Sequence, residues 1–357
     1  MPGFWSNMSI TGSVWIDKKE DNPDMITTHV LVLPSVLDLS LGITLDVMSA
    51  ANRLQVARGG APIFGFALVG PAGRRVTTGA GLQVGPVGAL PPLPEPLSGS
   101  RPKAGATALV VVPGINLATV PEIQAWREQP AARRAARWLA GMVQGGAQVA
   151  AGCASTFLLG EAGLLQGRCA TTTWWLAPHF RERFPGVELD MDRMVVADGA
   201  ITTAGAALAQ ADLMLELVAR HGSAELARQC ARYLLLDRRT SQSRYALASH
   251  LVQQTPVMLR ADRWIRQHLG GPITLAGLAE ALHMTPRTVS RHFAESAGLS
   301  PIRYIQRLRV EQAVLLLETG TEPLDAIAAR VGYADATMLR RLLQRERGIT
   351  PRMARNG

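Results

Sequence analysis

Residues 273–301 read ITLAGLAEALHMTPRTVSRHFAESAGLSP, and this stretch decides how the C-terminal third folds. Leu275, Leu278, Ala279 and Leu282 recur at helical spacing and predict a short helix with one apolar face. His283 and Met284 make a brief turn. Thr285 is a residue type that caps helix starts, and Pro286 suits the first helical position, where its missing N–H would find no partner anyway. The next helix, expected over residues 286–296 and ended by Gly298, buries Val289 and Phe293 and turns Arg287, Thr288 and Arg291 outward. Ala279 lets the two helices cross closely. Two short helices joined by a tight turn, with Arg and Thr opening the second, form a helix-turn-helix.

The pattern returns over residues 324–351, LDAIAARVGYADATMLRRLLQRERGITP. Ile327 and Ala328 answer Leu278 and Ala279. Leu343 answers Phe293, and GITP answers GLSP. The offset is 49 residues before the turn and 50 after it. A repeat of this kind weighs more than either copy alone. Residues 302–317, IRYIQRLRVEQAVLLL, predict a long helix that holds the copies apart.

Working outward, charge agrees with this reading. The 357-residue chain carries a net charge of +9. From residue 251 onward there are 15 Arg and nine acids, so most of the excess sits in the last third. A basic patch on paired helices points to nucleic acid. Guanidinium groups bind phosphates and can grip guanine edges with two hydrogen bonds. The candidates are Arg287, Thr288 and Arg291 in the first copy and Ala336, Thr337, Arg340 and Arg341 in the second. The alternative for each Arg is a solvated helix face.

This third of the chain resembles the AraC/XylS family of bacterial transcription regulators over residues 257–355. The marks are the doubled helix-turn-helix, the RxRxxxAxxLL-like helix at residues 307–317, and the phrases IAARVGYAD and RRLLQRERGITP. Leu339 and Leu343 stand where the family usually has aromatics, and Ala354 where it usually has Tyr. The resemblance implies contacts in two successive major grooves, with RNA polymerase as a further candidate partner.

The first half reads differently. Short apolar runs at residues 29–33, 64–69, 108–112 and 147–151 suit strands buried on both faces, and helical stretches at 43–56 and 122–144 lie among them. That alternation predicts an α/β domain with a mostly parallel sheet, followed by an all-α C-terminal domain with two helix-turn-helix motifs. Residues 85–104, rich in Pro, Gly and Ser, read as a surface loop. Helices are expected at 206–221 and 223–236, and the polar, basic stretch 237–245 reads as a linker. The expected division is a loose tail (1–28), an α/β domain (29–222), a helical linker region (223–256) and a DNA-binding domain (257–357) with its two units at 273–298 and 324–348.

Within residues 147–175, AQVAAGCASTFLLGEAGLLQGRCATTTWW, a buried strand runs into Gly152 and Cys153 and a helix follows. Strand, sharp turn and helix are the shape of a nucleophile elbow, and a helix N-terminus would lower a thiol's pKa. The stretch resembles the PfpI-type, class I glutamine-amidotransferase-like domains, and more closely the amidase-like sensor domain of GlxA-type AraC-family regulators. VLDLSLGITLDVMSAAN, ALVVVPG and ITTAGAALAQADLMLELVARHG match in order, over residues 29–222. This resemblance implies that the sheet is flavodoxin-like and amidotransferase-like. In that group a His usually precedes the Trp, whereas Thr173 stands here, followed by Trp174. A thiol needs a base to take its proton, and Thr cannot serve. His179, six residues on, reads as a surface histidine.

No catalytic residue is therefore assigned. Ligands in open α/β sheets sit outside the carboxyl ends of strands. A small effector would be lined by Gly114, Cys153, Ala154, Ser155, Thr173 and Trp174, with Asp38 nearby. Trp174 and Trp175 are equally readable as core aromatics. The expected whole is a cytoplasmic, effector-controlled regulator of double-stranded DNA, a homodimer by the resemblance, without cofactor, metal or membrane contact. The alternative is a cysteine-dependent amidase-like hydrolase fused to a DNA-binding domain, and a third reading is a DNA binder whose first domain only dimerises.

Overall fold

The computed structural model describes residues 25–71, 74–94, 108–237, 239, 241–242, 255–297 and 299–355. The chain divides into two compact units, one of Met1–Thr173 with Arg183–Ser241 and one of Trp174–Glu182 with Gln242–Gly357. Most of the expected tail, Gly298, and most of the 237–245 linker lie outside the described residues.

The first unit holds strands β1 (Ile26–Leu31), β2 (Phe64–Gly70), β3 (Arg74–Thr77), β4 (Gln83–Ala89), β5 (Leu109–Val112), β6 (Gln148–Gly152), β7 (Cys169–Ala170), β8 (Glu188–Leu189), β9 (Val195–Asp198) and β10 (Ile201–Ala204). Eight of them form one sheet in the order β3-β4-β2-β1-β5-β6-β10-β9. All pairings from β4 across to β10 are parallel, and β3 and β9 run antiparallel at the two margins. The run β2-β1-β5-β6-β10 is the flavodoxin-like order 2-1-3-4-5.

Four helices flank this sheet in chain order: α1 (Asp38–Ala57), α2 (Val120–Arg127), α3 (Pro130–Gln144) and α4 (Thr156–Glu161). After α5 (Ala177–Arg183) come α6 (Ala209–His221) and α7 (Ala224–Tyr233). All four residues of β5 are buried, as a strand covered on both faces must be. On one face Val47, Met48, Ala51, Leu213, Met214 and Leu217 pack with Val30, Val111 and Ala150. α3 buries Ala135, Leu139 and Met142 and packs against β6.

Four expectations change. β1 begins at Ile26, inside the stretch read as tail, because Ile26–Leu31 pairs with β2 along its whole length. The helix expected over 122–144 is two: Gln129 is extended (ψ 140°) ahead of Pro130, which restricts the residue before it and opens α3. Residues 83–89, partly read as loop, form β4, which pairs with both β2 and β3. The stretch read as a linker is anchored at Arg239, whose guanidinium pairs with Asp212 of α6 at 2.7 Å. Burial still pushes the Asp212 carboxyl up, against the pull of Arg239.

The second unit contains α8 (Pro256–Gln267), α9 (Leu275–Ala281), α10 (Pro286–Ala297), α11 (Pro301–Thr319), α12 (Leu324–Arg330), α13 (Ala336–Arg347) and α14 (Pro351–Arg355). It has two apolar cores. The first joins Met258, Ile265, Leu278, Ala279, Val289 and Phe293 to Tyr304, Ile305 and Leu308. The second joins Ile327, Ala328, Leu339, Leu342, Leu343 and Ala354 to Val310, Ala313 and Leu317. α11 thus gives its first half to one helix-turn-helix and its second half to the other.

Candidate functional site

Each helix-turn-helix turn needs one residue with positive φ. His283 supplies it in the first copy (φ 54°) and Gly332, 49 positions on, in the second (φ 83°). A Cβ on Gly332 would lie 2.6 Å from both Leu269 O and Arg309 Nη2, so glycine is required there for space as well. Arg309 itself donates to the carbonyls of Leu269 and Gly271 and lies over the Tyr333 ring, tying the end of α8 to the second turn.

The turns deliver the chain to the two candidate recognition helices through side-chain caps. The Thr288 N–H donates to Thr285 Oγ1 at 3.1 Å, and the Thr337 and Met338 N–H groups donate to Asp335 Oδ1 at 2.7 and 3.0 Å. Those two bonds hold the Asp335 carboxyl below its usual range. On α10, Arg287 and Arg291 are exposed and Thr288 half-buried, its hydroxyl 2.9 Å from that of Thr285. Arg291 stands 3.8 Å from Glu295. On α13, Thr337, Arg340, Arg341 and Gln344 are exposed at helical spacing, opposite the buried Leu339, Leu342 and Leu343.

Ala336 does not belong with them. It is 3% exposed at the first position after the Asp335 cap, where the helix turns toward the core. The departures from the family's aromatics at Leu339, Leu343 and Ala354 all fall inside the second core and leave the exposed stripe untouched.

In the first unit, β6 ends at Gly152, and Cys153 (φ 55°) opens a 3-10 turn, Cys153–Ser155, into α4. A Cβ on Gly152 would collide with Gln210 Oε1, and one on Gly114 would lie 2.8 Å from Ser40 Oγ and 3.1 Å from the Cys153 Cβ. The chain segments leaving β1, β5, β6 and β10 therefore meet here, bringing Ser40, Gly114, Cys153 and Gln210 together. Gln210 Nε2 donates to Thr44 Oγ1 (2.9 Å), which donates to Ser40 O (2.7 Å). Ser40 Oγ and Gln210 Oε1 are buried with no hydrogen-bond partner among the described residues. Sequence reading missed Ser40 and Gln210. Their one signal was a polar side chain in the first turn of an otherwise apolar helix that follows a strand.

Burial pushes the Cys153 thiol up, and the opposing pull of the Ala154 and Ala207 N–H groups and the Thr173 hydroxyl is weaker. This reverses the lowering expected from the following helix: desolvation outweighs it. Of the other expected lining residues, Ala154 is fully buried and Ser155 turns its hydroxyl away to Pro113 O (2.6 Å). Trp174 groups with the second unit and packs edge-on against Trp175. His179, expected at the surface, has a side chain only 15% exposed and stands 3.7 Å from Glu182. Asp38 faces the 78–80 loop, where Ala80 N–H and Thr78 bond its carboxylate and hold its pKa down.

Comparison with known proteins agrees with both halves. Residues 278–357 match the Helix-turn-helix domain family, and residues 105–220 match the DJ-1/PfpI family. The HTH-type transcriptional regulator GbdR of Pseudomonas aeruginosa is 24% identical over 94% of this chain and 85% of its own length. The HTH-type transcriptional regulator GlxA of Rhizobium meliloti is 24% identical over 86% of this chain and 88% of its own length. Among solved structures, an AraC family transcriptional regulator from Pseudomonas putida is 22% identical, with a TM-score of 0.44, over 58% of this chain and 99% of that one. No helix among the described residues is long and apolar enough to cross a membrane. The chain thus joins a DJ-1/PfpI-like domain to a doubled helix-turn-helix and is similar along most of its length to HTH-type transcriptional regulators, GlxA among them, as a DNA-binding transcriptional regulator would be.

Proposed function

We propose that this regulator is switched by a small molecule bound where β1, β5, β6 and β10 end, around Gly114, Cys153 and Thr173, and that this site performs no catalysis. In this reading residues 29–222 sense the effector and dimerise, 223–256 transmit, and 257–357 bind duplex DNA in the cytoplasm, with RNA polymerase as a further partner. Arg287, Thr288, Arg291, Thr337, Arg340 and Arg341 contact the DNA. The observation that carries the DNA contact is the pair of capped helices, each presenting exposed polar residues opposite a buried apolar face.

Selection of genomic fragments by the purified protein tests this reading. A preferred sequence is expected, and Arg287→Ala and Thr337→Ala should each relax preference at one position, by about 1–3 kcal/mol if the side chain reads a base. No preference above non-specific binding at physiological salt would overturn the reading.

The non-catalytic site rests on the raised Cys153 thiol beside Thr173. Because its pKa is raised, the thiol stays protonated through neutral pH and ionises only above the ordinary range. Labelling of Cys153 by a thiol-selective electrophile should therefore be slow at pH 7 and accelerate only in strong alkali. Fast labelling below pH 7 would favour the hydrolase reading instead.

A further inference from the structure

The second helix-turn-helix carries a groove of about 760 Å³ that the recognition stripe alone does not explain. Arg340 and Arg341 of α13 form one wall and Arg352 and Arg355 of α14 another, over an apolar floor that includes Leu324 and Ile349. Four of its lining residues are arginines, and none is acidic. Arg352 is exposed and makes no ion pair among the described residues, while Arg355 is exposed and donates to the Glu322 carbonyl.

The groove borders the recognition helix on the side of Arg340, Arg341 and Gln344, so it lies beside the surface that would enter a major groove. The first copy lacks three of these arginines. Fifty positions earlier, Arg352 and Arg355 correspond to Ile302 and Ile305, and Arg340 to Ser290. The added charge is thus particular to the second copy, and helix start chemistry common to both does not account for it.

We infer that this groove seats the phosphodiester backbone bordering the second half-site, with Arg352 and Arg355 as phosphate anchors that carry no sequence information. The inference rests on the DNA-binding reading above but assigns residues outside it. Guanidinium forks match phosphate oxygens, and each phosphate neutralised adds about 0.9 to the slope of log affinity against log salt.

The test uses the full-length protein, a duplex selected from genomic fragments and a scrambled duplex of equal length. Arg352→Gln should lower the salt slope by about one, and Arg352→Gln with Arg355→Gln by about two, with both duplexes weakened by the same factor. Arg352→Lys, which keeps the charge, should hold the slope. Unfolding curves matching wild type show that the loss is not one of folding. Unchanged slopes in both glutamine variants overturn the inference. So does unchanged DNA binding with reduced transcription, which would assign the groove to an acidic protein surface. If wild type shows no preference between the two duplexes but Arg352→Gln still lowers the slope, the regulator reading fails and the phosphate groove stands.

Discussion

The two helix-turn-helix copies share their turns and caps but differ in core and surface. Both place a positive-φ residue at the turn, His283 and Gly332, and both cap the second helix with a side-chain oxygen, Thr285 and Asp335. The first fills its core with rings, Phe293 edge-on to Tyr304 at 5.4 Å, and the Tyr304 hydroxyl donates to Asp262 at 2.6 Å. The second replaces those rings with Leu343 and Ala354 and adds a polar seam between α11 and α13. There Arg307 meets Glu346 at 3.5 Å with both side chains buried, Arg345 bonds Glu346 and Gln306, and Arg347 meets Glu311. The geometry of a DNA-reading unit is therefore set by turn stereochemistry and capping, while its interior and its surface charge are free to diverge.

The sharpest way to break this comparison is at the seam. Glu346→Ala takes the buried carboxylate away from both Arg307 and Arg345 and should destabilise the second unit by about 3 kcal/mol. Its counterpart, Ser296→Ala, removes no charge partner and should cost far less. Equal losses in thermal unfolding would show that the seam does not distinguish the copies.

The turns come next. Gly332→Ala introduces both an unfavourable φ, about 1–2 kcal/mol, and a clash with the Leu269 carbonyl, so a loss of about 2–4 kcal/mol is expected in denaturant titration. His283→Gly relieves the same strain in the first copy and should be neutral or stabilising by up to about 1 kcal/mol. A loss in both would mean that His283 has a role beyond its backbone angle.

The caps give the smallest effect. Asp335→Ala and Thr285→Ala should each lower stability by less than the turn and seam variants, since each removes only a surface cap. The Asp335 carboxyl is held below its unfolded value, so its contribution is present above the ordinary Asp range and is lost as pH falls through the lowered pKa. Thr285 does not titrate, so in acid the cost of Asp335→Ala should shrink while that of Thr285→Ala holds, and a difference between the two variants opens. A constant difference across pH would argue against charge at the cap.

The repeat was legible because helical periodicity, caps and small crossing residues are local properties, and two copies reinforce one another. Ala336 was misread because a helix's first turn can rotate either way by one residue, and only the packing of Leu339 and Leu343 fixes the phase. The Cys153 turn was legible as strand, glycine and helix, but not its partners. Ser40 and Gln210 lie 113 residues before and 57 after the cysteine, and only the parallel strand order brings them to it.

By itself, then, the sequence determined a mostly parallel α/β domain followed by two helix-turn-helix units, since those rest on spacing and turn chemistry within short segments. Only the tertiary structure decided the burial of the thiol, which depends on how completely distant chain segments exclude water from it. It also decided that α11 serves two cores at once, and that four arginines far from the first recognition helix line one groove. Burial and charge convergence are sums over the fold, and no local pattern contains them.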